Sequence, residues 1–245
     1  MDRVTGNNAG RAGVISNMKN NLASTPNAPA LDDARPAPAP ARRTVGLVGV
    51  GKLGAVIGRL AAEAGHELLV AERPGSPMFE LVLGSILPSA RAVPLAELLA
   101  RADVVVLAVP QPALAGLDLS GVRGDVVDAT NAWDAVPAED EGVDADWWAR
   151  RLPGTPVVKT LNHAAYAELL ADARPAGAPG RRAVAVAGSD ADAVHRVAAF
   201  VDSLGFDAVP APAEAARLLE PGAPVFGGRF DAAGMREVLA GTPVD

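Results

Sequence analysis

The chain has 245 residues, 49% of them hydrophobic and 21% charged, with a formal net charge of −7 and no cysteine; its pI lies near 5.0. That length and apolar content suffice for one good core, while the acidic balance argues against nucleic acid or an anionic membrane as partner, since both demand a positive surface. Without cysteine there is no disulfide, thiolate nucleophile or Cys-ligated metal, and His66, His163 and His195 form no i, i+4 pair, so no metal is expected.

No apolar stretch approaches the length of a bilayer span, and the N-terminus has no apolar segment behind its charges, so a cytoplasmic location is expected. Residues 1–43 lack hydrophobic periodicity and run into Pro36-Ala37-Pro38-Ala39-Pro40. This Ala/Pro-rich stretch reads as a disordered tail. From Thr44 to the end, 44–245, strands and helices alternate, which predicts an α/β fold of the Rossmann type: a doubly wound, mostly parallel sheet, with a small C-terminal extension.

The first strand is expected at 44–50 and runs into Gly49-Val50-Gly51-Lys52-Leu53-Gly54, followed by a helix over 53–64 whose apolar positions recur with a helical period. This is the dinucleotide-binding fingerprint. Gly49 permits a tight turn, Gly51 lets backbone approach a pyrophosphate, and Gly54 lets helix pack close to strand. Phosphates would sit at the helix N-terminus, where unpaired N–H groups and the helix dipole favour anions. Further strands are expected at 67–71, 90–93, 104–109, 125–129, 156–160 and 182–187. Helices are expected at 94–101, after Pro112, and at 164–171, 190–204 and 231–240, the one at 190–204 with Asp190 as N-cap and Gly205 just past its end.

Ligands of such sheets bind beyond the carboxyl ends of the strands, so those loops hold the candidates. After the second strand, Glu72 and Arg73 are adjacent. The acidic residue, at about the expected 20-residue offset, suits ribose hydroxyls and the arginine suits a 2′-phosphate, so NAD and NADP both stay open. Ala108, Val109 and Pro110 end another strand as a rigid small-residue loop. Asn131 tips the next, either toward a ligand or in an Asx turn. Asn162 and His163 close Lys159-Thr160-Leu161-Asn162-His163, a polar cluster placed to hydrogen-bond a second ring, although His163 reads equally as a helix N-terminal residue with its ring satisfied locally. His66 reads as a surface residue and His195 as structural. Of Trp147 and Trp148, one is expected in the core. No Tyr-x-x-x-Lys pair exists, since Leu170 stands four positions after Tyr166, and no acid–base pair for a carbonyl substrate stands out.

The segments GLVGVGKLGAVIGRLAAEAGHEL, ADVVVLAVP, GDVVDATN, VVKTLNH, RPAGAPGRRAVAVAGSDADAVHRVAAFVDSLGFDAV and RLLEPGAPVFG resemble the family of NADP oxidoreductases that depend on the deazaflavin coenzyme F420 (8-hydroxy-5-deazaflavin). The resemblance covers about Thr44 to Gly227. It implies hydride transfer between NADP(H) or NAD(H) and F420, with stacked rings and no proton shuttle, because the cofactors hold the chemistry and the protein places them. It implies that Gly49, Val50, Gly51, Lys52 and Leu53 hold the pyrophosphate and Arg73 faces the 2′-phosphate. Ala108, Val109 and Pro110 would support the nicotinamide riboside, Asn162 and His163 would lie near the stacked rings, and the chain would form a homodimer. The family often has a small hydroxyl residue where Glu72 stands; a carboxylate there repels a phosphate. The alternatives are an NAD(P)H-dependent reductase of another acceptor, such as a flavin, metal chelate or biosynthetic intermediate, and a nucleotide-binding sensor without turnover.

Overall fold

The apolar runs pair side by side into one eight-stranded sheet. In the computed structural model, residues 41–71, 77–133 and 143–241 are described, and all fall within the unit Ala39–Asp245. Most of the expected tail, together with Glu72 and Arg73, lies outside the described residues.

The strands are β1 (Thr44–Val48), β2 (Glu67–Ala71), β3 (Arg91–Ala92), β4 (Val104–Leu107), β5 (Asp125–Asp128), β6 (Val157–Thr160), β7 (Ala183–Ala187) and β8 (Asp207–Ala211). They lie in the order β3-β2-β1-β4-β5-β6-β7-β8. Every pair is parallel except β6 with β7. The helices are α1 (Lys52–Glu63), α2 (Pro77–Ser85), α3 (Leu95–Arg101), α4 (Ala145–Arg151), α5 (Tyr166–Asp172), α6 (Ala191–Ser203) and α7 (Ala232–Ala240), with 3-10 segments at Gln111–Gly116 and Ala213–Leu219. The expected α/β Rossmann-type sheet is therefore the one that forms.

Strand residues alternate between the two faces of the sheet, and both faces are covered, which is why the strands read as unbroken apolar runs. Ile57 of α1, Val82 of α2, Leu169 of α5 and Phe200 of α6 share one buried cluster with Leu47, Val106 and Val158. Leu98 and Leu99 of α3, Leu114 of the 3-10 segment Gln111–Gly116 and Trp148 of α4 share another with Leu69, Val105 and Leu107. Met235 of α7 and Leu219 close a third cluster over β7 and β8. The start and stop signals of α6 hold: the Asp190 carboxylate accepts the Ala193 N–H at 2.7 Å, and Gly205 follows the helix at φ +107°.

Three features depart from the sequence pattern. β7 runs against its neighbour, because the chain between β6 and β7, including the short α5, leaves and re-enters the sheet at the same end instead of crossing over. β8 is a short edge strand carrying Pro210, a residue tolerated there because an edge leaves one side of the ladder unpaired. His66 is buried, not on the surface. Its Nδ1 accepts the Arg43 N–H at 3.1 Å and its Nε2 lies 2.9 Å from Ser203 Oγ, so the imidazole closes the joint between β1 and α6.

Candidate active site

β1 is flanked by β2 on one side and β4 on the other, so the strand order reverses there and a crevice opens at the carboxyl ends. The glycine turn lies at this point. Gly49 has φ +90° and donates its N–H to Ala71 O at 3.1 Å. A Cβ on Gly49 would stand 2.8 Å from Ala108 O, and one on Gly54 would stand 2.1 Å from Gly49 O. These two glycines are dictated by packing of β1, β4 and α1. Gly51 differs, for a Cβ there would meet nothing within 4 Å. Its φ of −64° suits any residue, so what glycine preserves at 51 is open space against the turn. Gly51 caps α1 without a side-chain hydrogen bond, leaving the first N–H groups of a twelve-residue helix for a ligand or water. The chain thus fits an anionic pyrophosphate in the way the fingerprint requires.

A cavity of about 550 Å³ leads away from the turn. Lys52, Leu53 and Tyr166 line it on the α1 and α5 side and Ala108, Val109 and Pro110 on the β4 side, with Asn131, Trp133, Asn162 and Phe226 among the others. Of the residues singled out in the sequence, Lys52, Leu53, Ala108, Val109, Pro110, Asn131 and Asn162 meet around it, and Gly49, Val50, Gly51 and Gly54 form the adjoining turn. His163 does not border it. That ring is 1% exposed, with Nε2 facing the Ala185 N–H at 3.4 Å. Burial, then the Arg182 and Lys159 charges, push its pKa down to about 3, so the imidazole is neutral. His195 is exposed, with Nδ1 2.7 Å from Ala191 O.

The far wall is built around a buried ammonium. Lys159 Nζ donates to Thr130 O at 2.7 Å and pairs with Glu220 Oε1 at 2.7 Å and Asp128 Oδ2 at 3.3 Å. Asp128 Oδ1 accepts the Thr130 N–H and hydroxyl, and Oδ2 accepts Trp148 Nε1–H at 3.2 Å. Glu220 Oε2 accepts the Ala132 N–H at 3.0 Å. Leu161 sits at φ +64°, the one non-glycine residue in the left-handed region among the described residues, a conformation that costs about 1–3 kcal/mol and is held by its surroundings. It turns the chain into Asn162. There Nδ2 donates to Asn131 Oδ1 at 2.9 Å and Leu219 O at 2.8 Å, and Asn131 Nδ2 returns a bond to Asn162 O at 3.1 Å. Two acceptors on Nδ2 fix the amide orientation, and Asn162 Oδ1 is left buried without a partner.

Sequence reasoning missed Trp133, Phe226 and the Lys159–Asp128–Glu220 group. Trp133 lies in no periodic segment, and Glu220 and Phe226 sit in a Gly/Pro-rich loop whose local pattern signals only a turn. Two resolved groups at the mouth also come from distant segments: Lys52 Nζ stands 5.6 Å from the centre of the Tyr166 ring, and Glu168 pairs with the buried Arg182 at 2.9 Å. Among the described residues no group of three His, Cys, Asp or Glu side chains could hold a metal, and no helix is long and apolar enough to cross a membrane.

Residues 44–129 match the family described as NADP oxidoreductase, coenzyme F420-dependent. No match was found among curated proteins. Among solved structures, the hypothetical protein SMa0349 from Sinorhizobium meliloti is 30% identical, with a TM-score of 0.63, over 76% of this chain and 94% of that one. A candidate F420-dependent NADP-reductase from Arthrobacter sp. FB24 is 26% identical, with a TM-score of 0.56, over 69% and 85% of the two chains. The 1-pyrroline-5-carboxylate reductase of Streptococcus pyogenes, at 15% identity and a TM-score of 0.52 over 73% and 63%, shares the fold. Residues 44–129, which hold the glycine turn and the strands around it, belong to the NADP oxidoreductase, coenzyme F420-dependent family.

Proposed function

We propose that the protein transfers a hydride between NADP(H) or NAD(H) and the deazaflavin ring of F420, both bound in the one cavity. The observation that carries this reading is the continuity of that cavity from the glycine turn to the aromatic wall at Trp133 and Phe226. Bound NAD(P)H supplies a hydride at its nicotinamide, and a deazaflavin supplies a ring that takes the two electrons together. The protein's part is placement. The turn 49–54 binds phosphate through backbone N–H groups, Ala108 to Pro110 give a stiff floor, and Asn162, locked by Asn131 and Leu219 O, gives a fixed polar wall. Holding two rings in register supplies on the order of 7–11 kcal/mol of barrier lowering without acid–base catalysis. Glu72 and Arg73, in sequence just beyond β2, set the balance between ribose hydroxyls and a 2′-phosphate.

The test mixes pure protein with NADPH or NADH and oxidised F420 and follows loss of deazaflavin absorbance. Turnover with at least one nucleotide is expected. Tight nucleotide binding by calorimetry with no turnover would overturn the reading in favour of a sensor. A second reading rests on Lys52 beside Tyr166 at the mouth: a phenol with a cation at its ring suits acceptors that take a proton with the hydride, such as a carbonyl or imine. The same assay with a cyclic imine in place of F420 separates the two.

A further inference from the structure

Trp133 exposes 68% of its surface, although a tryptophan gains most by burial. The chain leading into it is nonetheless tied down. The three residues before it are each held by a different group: Thr130 O by Lys159 Nζ, Asn131 by its reciprocal amide pair with Asn162, and the Ala132 N–H by Glu220. The ring itself stands edge-on to Phe226, with centroids 5.3 Å apart at 84°. Phe226 is anchored in turn, because the next residue, Gly227, donates its N–H to His163 O at 2.8 Å. Two loops far apart in sequence are thus fixed so that one large aromatic surface lies open on the wall of the cavity.

From this we infer that Trp133 is the surface on which the planar ring of the hydride acceptor stacks, with Phe226 setting its angle. A small aliphatic imine or carbonyl has no π-face to use such a surface. An offset or edge-on aromatic contact favours a broad ring, and anchoring the loop beforehand removes the ordering cost of binding. Lys52 and Glu168 are the charged residues of the lining among those described, and Glu168 is paired with Arg182. The wall around Trp133 therefore favours a neutral ring over a charged aliphatic substrate. The inference rests on the reading above and assigns the residue against which its acceptor lies.

The experiment reads binding, not turnover, so that its failure and the failure of the hydride-transfer reading are distinct. Oxidised F420 and, separately, riboflavin are titrated into the nucleotide-bound protein while tryptophan emission is followed. Trp133→Phe serves as control for emission from Trp147 and Trp148. Quenching is expected in the wild type and is lost in Trp133→Phe, which keeps ring affinity within about threefold. Trp133→Ala weakens ring binding about tenfold, the range of base stacking on an aromatic side chain, and leaves NADPH affinity within about twofold. Unchanged ring affinity in Trp133→Ala overturns the inference. So does a shift of Trp133→Ala from dimer to monomer with no effect on ring binding, which would assign the exposed indole to a second copy of the chain.

Discussion

The two walls of the cavity are made in opposite ways. On the β1 side the site is backbone: the turn at Gly49 to Gly54 works through absent side chains, and its geometry is imposed by the packing of Gly49 on Ala108 and Gly54 on Gly49. On the β5–β6 side it is side chain: a buried lysine, two carboxylates, two asparagines and two aromatic rings drawn from residues 128 to 226. A backbone wall recognises what every dinucleotide has in common. A side-chain wall can be rewritten residue by residue, which is how one fold serves many acceptors.

The largest effect expected from breaking this contrast is Lys159→Met. Removing one partner of a buried ion pair leaves the other charge uncompensated and costs about 3–5 kcal/mol. Here both Asp128 and Glu220 lose their cation, and urea unfolding measures the loss. A cost below about 1 kcal/mol would mean that the far wall stands without its ammonium, and the network would then be incidental.

The next largest comes from the turn and sharpens the contrast within it. Gly54→Ala forces a Cβ against the Gly49 carbonyl at 2.1 Å and costs about 1–3 kcal/mol, the scale of overpacking a filled site. Gly51→Ala meets only open space, so its melting temperature stays close to that of the wild type while nucleotide affinity falls about tenfold, a change of ~1.4 kcal/mol in binding. Thermal melts and calorimetry on the two variants distinguish a glycine kept for the fold from one kept for the ligand. Wild-type affinity in Gly51→Ala would remove the turn from the phosphate site.

The same contrast explains what could be read from the sequence. The backbone wall is local: strand, glycines and helix follow one another within about 20 residues, and each carries a periodic or steric signature. Asn131, read as a ligand contact or an Asx turn, and Asn162, read as facing a second ring, are hydrogen-bonded to each other. Nothing in Lys159-Thr160-Leu161-Asn162-His163 tells which polar residue faces the cavity. The left-handed Leu161 turns Asn162 onto the lining and leaves His163 buried, and leucine gives no sign of that conformation. Trp133 and Glu220 needed the fold itself, because their partners Phe226 and Lys159 lie in other segments. His66 was misplaced for a related reason: the helix that buries it, α6, is far along the chain.

The last prediction concerns pH, and its largest part comes from the buried histidine behind the side-chain wall. The neutral His163 has a pKa of about 3 in the fold against an ordinary 6.5, chiefly through burial, so below pH 6.5 the unfolded chain takes up a proton that the folded one refuses. Its contribution to stability is whole above pH 6.5 and is lost as pH falls toward 3, at up to ~1.4 kcal/mol per unit. His66, lowered by burial and then by Arg43, adds in the same direction. Between pH 6.5 and 5 ordinary carboxylates stay ionised, so the slope there belongs to the histidines. His163→Asn should be less stable at neutral pH, yet show a shallower loss of urea midpoint across that window; equal slopes would mean that the imidazole is not neutral and buried. His163 O also holds the Gly227 N–H behind Phe226, and with a folded pKa of about 3 the ring stays neutral there. KM for the acceptor and nucleotide affinity are therefore both expected to hold steady between pH 6.5 and 5 while the urea midpoint falls, and a rising KM in that window would mean that the folded imidazole takes up the proton.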